Sequence, residues 1–526
     1  MLFDQVSQAM RSGRLAEAEA ICRKMLANEP KNFDVVHMLA VICSEKGEYD
    51  ESERLFRKAI SLDPHFPPCY HNHGLALAKQ EKYAAAVTQF DKALSLFSNF
   101  APAHCDRGSA LKELGRFDEA LTSLNKAIDL APNVPMVWFN RANLFFVKQD
   151  YNAALEDYDR AIKINSGYAD AWVGRANVLA DLKRHDEALA AYAKALSLKP
   201  DLSEAHFNES HLRLLLGDMK AGLKKYEYRW DTKQLRGWKR HFPQPLWLGE
   251  SDLRNKAILI HAEQGAGDTL MCCRYVPLLA ASGARVILEV QPAVRSLMRS
   301  LEGVWKLLAK GEPLPEADVH CPIMSLPLAF NTTLETIPAR VPYLAASPDK
   351  IASWRQRLSW TEIKVGVAWA GNPNFPKDRD RSMRLKNMLP LFQVKGIKYV
   401  SLQKDLRPGD KEELEGNPEI ARFHREIHDF EDTAAIMMSL DLVITVDTSV
   451  ANLAGALGRP VWVLLGSNPD WRWLLDRGDS PWYPTARLFR QAKRGDWGAV
   501  VDEACGELKK MVVDRKDIEP RDTARK

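Results

Sequence analysis

The segment "KAISLDP", Lys58–Pro64, returns as "KALSLKP", Lys194–Pro200. Pro30 and Pro132 close equivalent segments, and Ser98 and Ser166 fill the two gaps, so the step is 34 residues throughout. Other columns keep that step. One reads Met25, Ala59, Ala93, Ala127, Ala161, Ala195, and another reads Leu15, Tyr49, Tyr83, Phe117, Tyr151, His185. An aromatic-rich column runs Tyr70, His104, Trp138, Trp172, His206, and a small-residue column runs Ala40, Gly74, Gly108, Ala142, Ala176. Small residues let paired helices approach closely, and aromatics fill the space between neighbouring pairs. A fixed period of this length marks stacked units that bury their cores against one another.

These columns resemble the tetratricopeptide repeat, over residues 1–230. A solenoid of that kind presents a concave groove lined by the first helix of each pair. The column Met38, Asn72, Asp106, Asn140, Gly174, Asn208 is expected to face it. Carboxamides there can bind the backbone of an extended peptide, or they can bridge neighbouring helices. An asparagine ladder resembles the repeats of protein O-linked N-acetylglucosamine transferases. Met38, Gly174 and Asp106 interrupt it here.

The 526 residues exceed one ordinary core, so two or three domains are expected. Apolar content of 46% and charged content of 27% fit a globular chain in water. A net charge of +4 with no basic stripe argues against a nucleic-acid partner. The first twenty residues read as an amphipathic helix carrying acids and not as a signal peptide. No stretch approaches the roughly 18–20 apolar residues of a membrane span. Eight scattered cysteines without a C-x-x-C pair are expected to be buried free thiols in a reducing cytoplasm.

After Trp230 the helical period stops, and residues 231–255 read as a linker rich in Pro, Gly and Trp. Then strands alternate with helices. "AILIHA", "RVILEV" and "DVHCPI" form one set; "KVGVAWA", "IKYVSLQ", "DLVITVD" and "PVWVLLG" form another. "TLMCCRYVPLLAASG" reads as a helix closed by Gly283. Such alternation predicts parallel sheets. The expected architecture is thus an α-solenoid followed by two Rossmann-like subdomains, 256–345 and 346–515, with a cleft between them and a tail at 516–526. Ligands of such sheets bind beyond the carboxyl ends of the strands.

Three loops stand at such ends. "AEQGAGD" offers Gly265 and Gly267 for close backbone approach, and Asp268 as either a helix N-cap or a proton-accepting base. "AWAGNPNFPKDRDRSMRL" carries Lys377, Arg379 and Arg381, either neutralising a leaving phosphate or forming a solvated surface loop. Its Asp378-Arg379-Asp380 string fits a D-x-D metal motif, but the flanking cations would repel a divalent ion, so no metal is expected. "DLVITVDTSVANLAG" offers Asp447, Thr448 and Ser449 at the start of a helix, as phosphate and sugar ligands or as caps. Gln403 in "SLQK" is placed to line a nucleotide pocket, and Asp432 or Thr433 to cap "FEDTAAIMM". "PDWRWLL" and "SPWYP" read as aromatic loops packed on the sheet rim.

Strand–"GxGD"–helix in one half and strand–"DTS"–helix–"GRPVWVLLG" in the other resemble the heptosyltransferase-like GT-B glycosyltransferases of family 9. The whole layout resembles bacterial tetratricopeptide-repeat glycosyltransferases, some of which modify flagellin. That resemblance implies a metal-independent enzyme with no bound cofactor. It would transfer sugar from a nucleotide-sugar donor to a hydroxyl, Ser or Thr of a flagellin-like or other protein held by the repeats, in the cytoplasm and without integral membrane association. By the same resemblance Asp268 matches the catalytic base, Arg381 (with Lys377 in reserve) the phosphate contact, and Asp447, Thr448 and Ser449 the donor-binding element. Ser449 replaces the family's glycine, and Asn452 stands where histidine is common. Both departures leave open the alternative of a repeat scaffold or adaptor carrying a non-catalytic GT-B domain.

Overall fold

The computed structural model describes residues 2–375 and 377–518. It divides into two compact units, 1–205 and 206–526. The tail expected at 516–526 lies outside the described residues from 519 onward, and the last helix runs Trp497–Ile518.

The first unit stacks helix pairs at the predicted step, for example Phe33–Lys46 with Tyr49–Leu62, Pro67–Lys79 with Tyr83–Leu96, and Ala101–Glu113 with Phe117–Leu130. The small column does what its size allows. A Cβ on Gly74 would lie 2.5 Å from Phe90 Cε1, and one on Gly108 would lie 2.5 Å from Leu124 Cγ. The aromatic column also hydrogen-bonds. Trp138 Nε1 donates to the Pro132 carbonyl at 2.8 Å, Trp172 Nε1 to Ser166 at 3.1 Å, and Tyr70 Oη to Pro64 at 3.1 Å. Each closes its own repeat onto the turn that precedes it. A further column has left-handed backbone at the turn inside each helix pair: Gly13, Gly47, Glu81, Gly115, Gln149, Lys183, with φ between 60° and 81°. Glycine adopts that conformation freely, whereas an L side chain pays roughly 1 kcal/mol.

In the polar column, Asn72 Nδ2 donates to His37 Nε2 at 3.0 Å, and Asn140 Nδ2 lies 3.1 Å from Cys105 Sγ. His71 Nε2 meets Asp106 at 2.7 Å. These groups bridge first helices of successive pairs, the second of the two roles open for the asparagines. Gly174 does not face open space, since a Cβ there would sit 2.4 Å from the Tyr158 ring.

The second unit holds two parallel sheets. Strands β1 (Ala257–His261), β2 (Arg285–Val290), β3 (Val304–Ala309) and β4 (Val319–Pro322) align in the order β3-β2-β1-β4. Strands β5 (Ile363–Ala368), β6 (Ile397–Ser401), β7 (Ile420–Arg422), β8 (Leu442–Val446), β9 (Val461–Leu465) and β10 (Ala486–Arg490) align as β10-β9-β8-β5-β6-β7. Chain order reverses beside β1 in the first sheet and between β5 and β8 in the second, the positions where such sheets open a crevice. β3, β7 and β10 escaped the sequence reading. β7 is three residues long, and β3 is a half-exposed edge strand without an apolar run. The long helix expected at 269–283 is instead broken. It runs Ala266–Cys272, tightens to a 3₁₀ turn at Cys273–Tyr275 and resumes at Val276–Ala281, where Pro277 has no N–H for an unbroken ladder.

One apolar core passes through both sheets, from Leu223 through Ile258, Leu270 and Val443 to Trp482. A second core, including Val365, Val367 and Leu508, lies on the other face of the larger sheet under the last helix. The segment read as a linker packs on the first sheet: Trp247 is buried and its N–H donates to His320 O at 2.9 Å. All eight cysteines are buried free thiols.

Candidate functional site

The loop after β1 is held from below. Arg229, fully buried, donates to Glu263 from Nε at 2.9 Å and from Nη2 at 3.1 Å, and Met324 N adds a third bond to the same carboxylate at 3.0 Å. Gln264 Nε2 donates to the Tyr226 hydroxyl at 2.8 Å. Glu263 and Gln264 thus anchor the start of the loop.

Asp268 is the third residue of its helix, and Gly265 is the N-cap. Its Oδ2 accepts from Gly265 N at 3.0 Å, the reciprocal half of a capping box. Its Oδ1 accepts from Arg472 Nη2 at 2.8 Å. Arg472 comes from the loop after β9, so this bond joins the two sheets' loops. Gly267 also serves that junction: a Cβ there would lie 3.0 Å from Asn452 Nδ2 and 3.5 Å from Ser449 Cα.

At the end of β8, Thr448 is the N-cap of the helix Ser449–Ala456 and accepts from Val450 N at 3.2 Å. Asp447 is buried beside it. Burial raises its pKa, the neighbouring Asp470 raises it further, and Arg472 opposes both. Asn452 is committed internally, with Nδ2 donating to Thr448 O at 3.1 Å and Oδ1 accepting from Tyr483 at 2.8 Å.

Beyond β5 the backbone is braced by Gln403. Its Oε1 accepts from Trp369 N and Ala370 N, both at 3.1 Å, while Nε2 donates to Ala370 O at 3.0 Å and Asp405 O at 3.1 Å. Every hydrogen-bonding position of that amide is engaged, so it shapes the loop and has none left for a ligand. Arg381 stacks over Phe375 at 4.3 Å and lies against Gly371, where a Cβ would be 2.6 Å from Nη2. Lys377 is exposed. The two acids of the D-x-D string are separately paired: buried Asp378 with Arg407 and Ser382, Asp380 with Arg494 at 2.8 Å. The cap of the helix Phe430–Met437 is Asp429 and not Asp432 or Thr433; Asp432 is its third residue and closes the capping box.

Arg472 is the centre of the site. Its Nε lies 3.0 Å from Asp470, and Asp268, Asp447 and Asp470 all bear on its charge, holding its pKa well above the ordinary arginine value despite burial. A buried cation among three carboxylates, with Arg381 and Lys377 on the neighbouring loop, is suited to a polar, multiply charged ligand. Arg472 and Asp470 were missed within "PDWRWLL", read as rim packing. The usable signal was its position directly after the strand "PVWVLLG".

Models described as tetratricopeptide repeat match residues 9–72, 71–135, 105–169 and 139–203. A curated relative, Protein FlbA of Caulobacter vibrioides, is 27% identical over 331 residues, covering 56% of this chain and 53% of the relative. The chain therefore spans about half the length of the curated relative it matches. Among solved structures, pilF of Pseudomonas aeruginosa is 20% identical, covering 40% of this chain and 95% of its own, with a TM-score of 0.35. YrrB, described as a TPR protein with an unusual peptide-binding site, is 22% identical over 36% of this chain and 97% of its own, with a TM-score of 0.29. No helix among the described residues is long and apolar enough to cross a membrane. The N-terminal part of this chain is therefore a tetratricopeptide-repeat solenoid, followed by a parallel-strand α/β region.

Proposed function

We propose that the α/β unit is a GT-B glycosyltransferase. In this reading it moves a sugar from a nucleotide-activated donor to a hydroxyl of a protein recruited by the repeats, in a reducing compartment. The observation that carries it is the Asp268–Arg472 pair, which joins loops from the carboxyl ends of two parallel sheets where chain order reverses. Arg381, Lys377 and the amino end of the Ser449–Ala456 helix supply positive potential for a departing nucleoside diphosphate, the charge that develops in the transition state, while Arg472 offsets the carboxylates of Asp268, Asp447 and Asp470 beside it. Asp268 holds Arg472 in place. No metal is needed for this step.

Titration with nucleoside diphosphates and nucleotide sugars tests the reading. A ligand at 100 times its Kd stabilises the folded chain by about 2.7 kcal/mol, which raises Tm. No Tm shift with any of them sinks the transferase reading. One observation favours a second reading, a repeat scaffold with a non-catalytic α/β unit: Asn452, Gly267 and Ser449 pack on one another where the family resemblance places donor. That reading expects partner binding by the repeats and no nucleotide-induced Tm shift.

A further inference from the structure

The helix Ser203–Leu215 belongs to the second unit from His206 onward, and it carries a residue that the site above leaves unused. His211 Nδ1 lies 2.9 Å from the Phe207 carbonyl oxygen. A carbonyl only accepts, so Nδ1 carries the hydrogen and Nε2 of the neutral ring carries the lone pair. Nε2 makes no hydrogen bond among the described residues and is not sealed from solvent. Phe207 holds the ring edge-on at 4.5 Å and 87°. Tyr226, 5.6 Å away, accepts from Gln264 in the loop that carries Asp268. The charged groups that act on the ring are Asp470, Lys377 and Arg472. The first two belong to the loops after β9 and β5, and the third is the centre of the site.

We propose that His211 Nε2 is the proton acceptor for the incoming hydroxyl, an inference that rests on the transferase reading. Asp268 is poorly placed for that task, because its two oxygens are already engaged, one by Gly265 N and the other by Arg472. In the step, the acceptor O–H bond breaks and its proton passes to Nε2. The oxygen's electron pair forms the bond to the anomeric carbon, and the bond from that carbon to the phosphate oxygen breaks. Its electrons leave on the nucleoside diphosphate, which Arg381 and Lys377 neutralise, and the imidazolium then releases its proton to solvent. Desolvation lowers the His211 pKa, with Lys377 and Arg472 adding to the effect and Asp470 opposing it, so the ring is neutral and ready near pH 7.

The test uses the full chain and a panel of UDP-, GDP- and ADP-sugars, measuring release of nucleoside diphosphate with water as acceptor. His211→Gln is expected to lower kcat by about 100- to 10,000-fold and to remove the acidic limb of its pH profile, while the Kd of the matching nucleoside diphosphate stays within about twofold. In His211→Ala, added imidazole is expected to restore about tenfold or more of the lost rate. A kcat within about threefold of the unaltered chain overturns the inference, as does a fall in kcat with the acidic limb intact and no rescue. If the unaltered chain binds and turns over no donor, the transferase reading fails first and this inference with it.

Discussion

Arginine side chains reach over different lengths of chain in the two units. In the solenoid, Arg141 reaches buried Asp157 with two bonds of 2.7 and 2.8 Å across 16 residues of chain. In the α/β unit, Arg472 reaches Asp268 across 204 residues, and Arg274 reaches the Trp482 carbonyl across 208. The apolar cores follow the same rule. Solenoid clusters gather neighbouring helices, as with Leu77, Phe90, Leu111 and Leu124, whereas one cluster of the α/β unit takes in both sheets. Stability in a repeat array is a sum of near-neighbour terms. A core that joins distant segments unfolds as one cooperative body. Local contacts make the solenoid tolerant and periodic, and long-range contacts let the α/β unit gather charged groups from many loops into one place.

The largest effect that can break this contrast is expected from Arg472→Met. Removing one partner of a buried pair costs about 3–5 kcal/mol, because Asp268, Asp447 and Asp470 then face one another without the cation. Urea unfolding should show the whole α/β unit weakened, with nucleotide binding lost. A stable variant that still binds nucleotide would show that Arg472 is not the centre of the site.

Two glycine substitutions compare the cores directly. A Cβ at Gly455 would lie 2.2 Å from the Tyr483 ring, and one at Gly174 would lie 2.4 Å from Tyr158. Overpacking of this kind costs about 1–3 kcal/mol or more. Gly455→Val should speed hydrogen exchange throughout both sheets, while Gly174→Val should loosen only the adjoining repeats. Exchange that spreads along the whole solenoid in the second variant would end the contrast.

Acid should also distinguish the units. Burial and the nearby His320 push the His261 pKa down to about 3. An unfolded histidine titrates near 6.5, so the folded state resists a proton that the unfolded chain accepts. This contribution to stability is whole above about pH 6.5 and is lost as pH falls toward 3, by up to about 1.4 kcal/mol per pH unit. His261→Asn should flatten that slope for the α/β unit and leave the slope of the solenoid, where His37 and His73 are also lowered, unchanged. Denaturant midpoints at pH 7 and pH 5 read it.

The smallest expected change is a gain. Lys183→Gly relieves left-handed backbone at φ 61° and should stabilise the solenoid by up to about 1 kcal/mol. A loss of stability at that position would mean that the Lys183 side chain supports the turn.

Much of the solenoid was legible because its contacts are short in sequence. Gly74 and Gly108 recur at the repeat step, and each meets a residue of the next helix, Phe90 and Leu124. The strands at the centres of both sheets were legible as apolar runs, and their loops pointed to the right ends of the sheets. The roles of single residues within those loops were less legible. Gln403 and Asn452 carry amides suited to a nucleotide, yet both are spent on protein partners. Asp268 was readable as a cap or a base, and its bond to Arg472 depends on a residue 204 positions away.

The sequence by itself determined the repeat period, the change to alternating strands and helices, and which loops lie at strand ends. All of these follow from local periodicity and from side-chain size. Only the tertiary structure decided that Arg472 stands among three carboxylates, that Gly267 makes room for Asn452, and that Asp470, Lys377 and Arg472 act on the ring of His211. Those juxtapositions arise from packing between segments far apart in the chain, and no local pattern of residues records them.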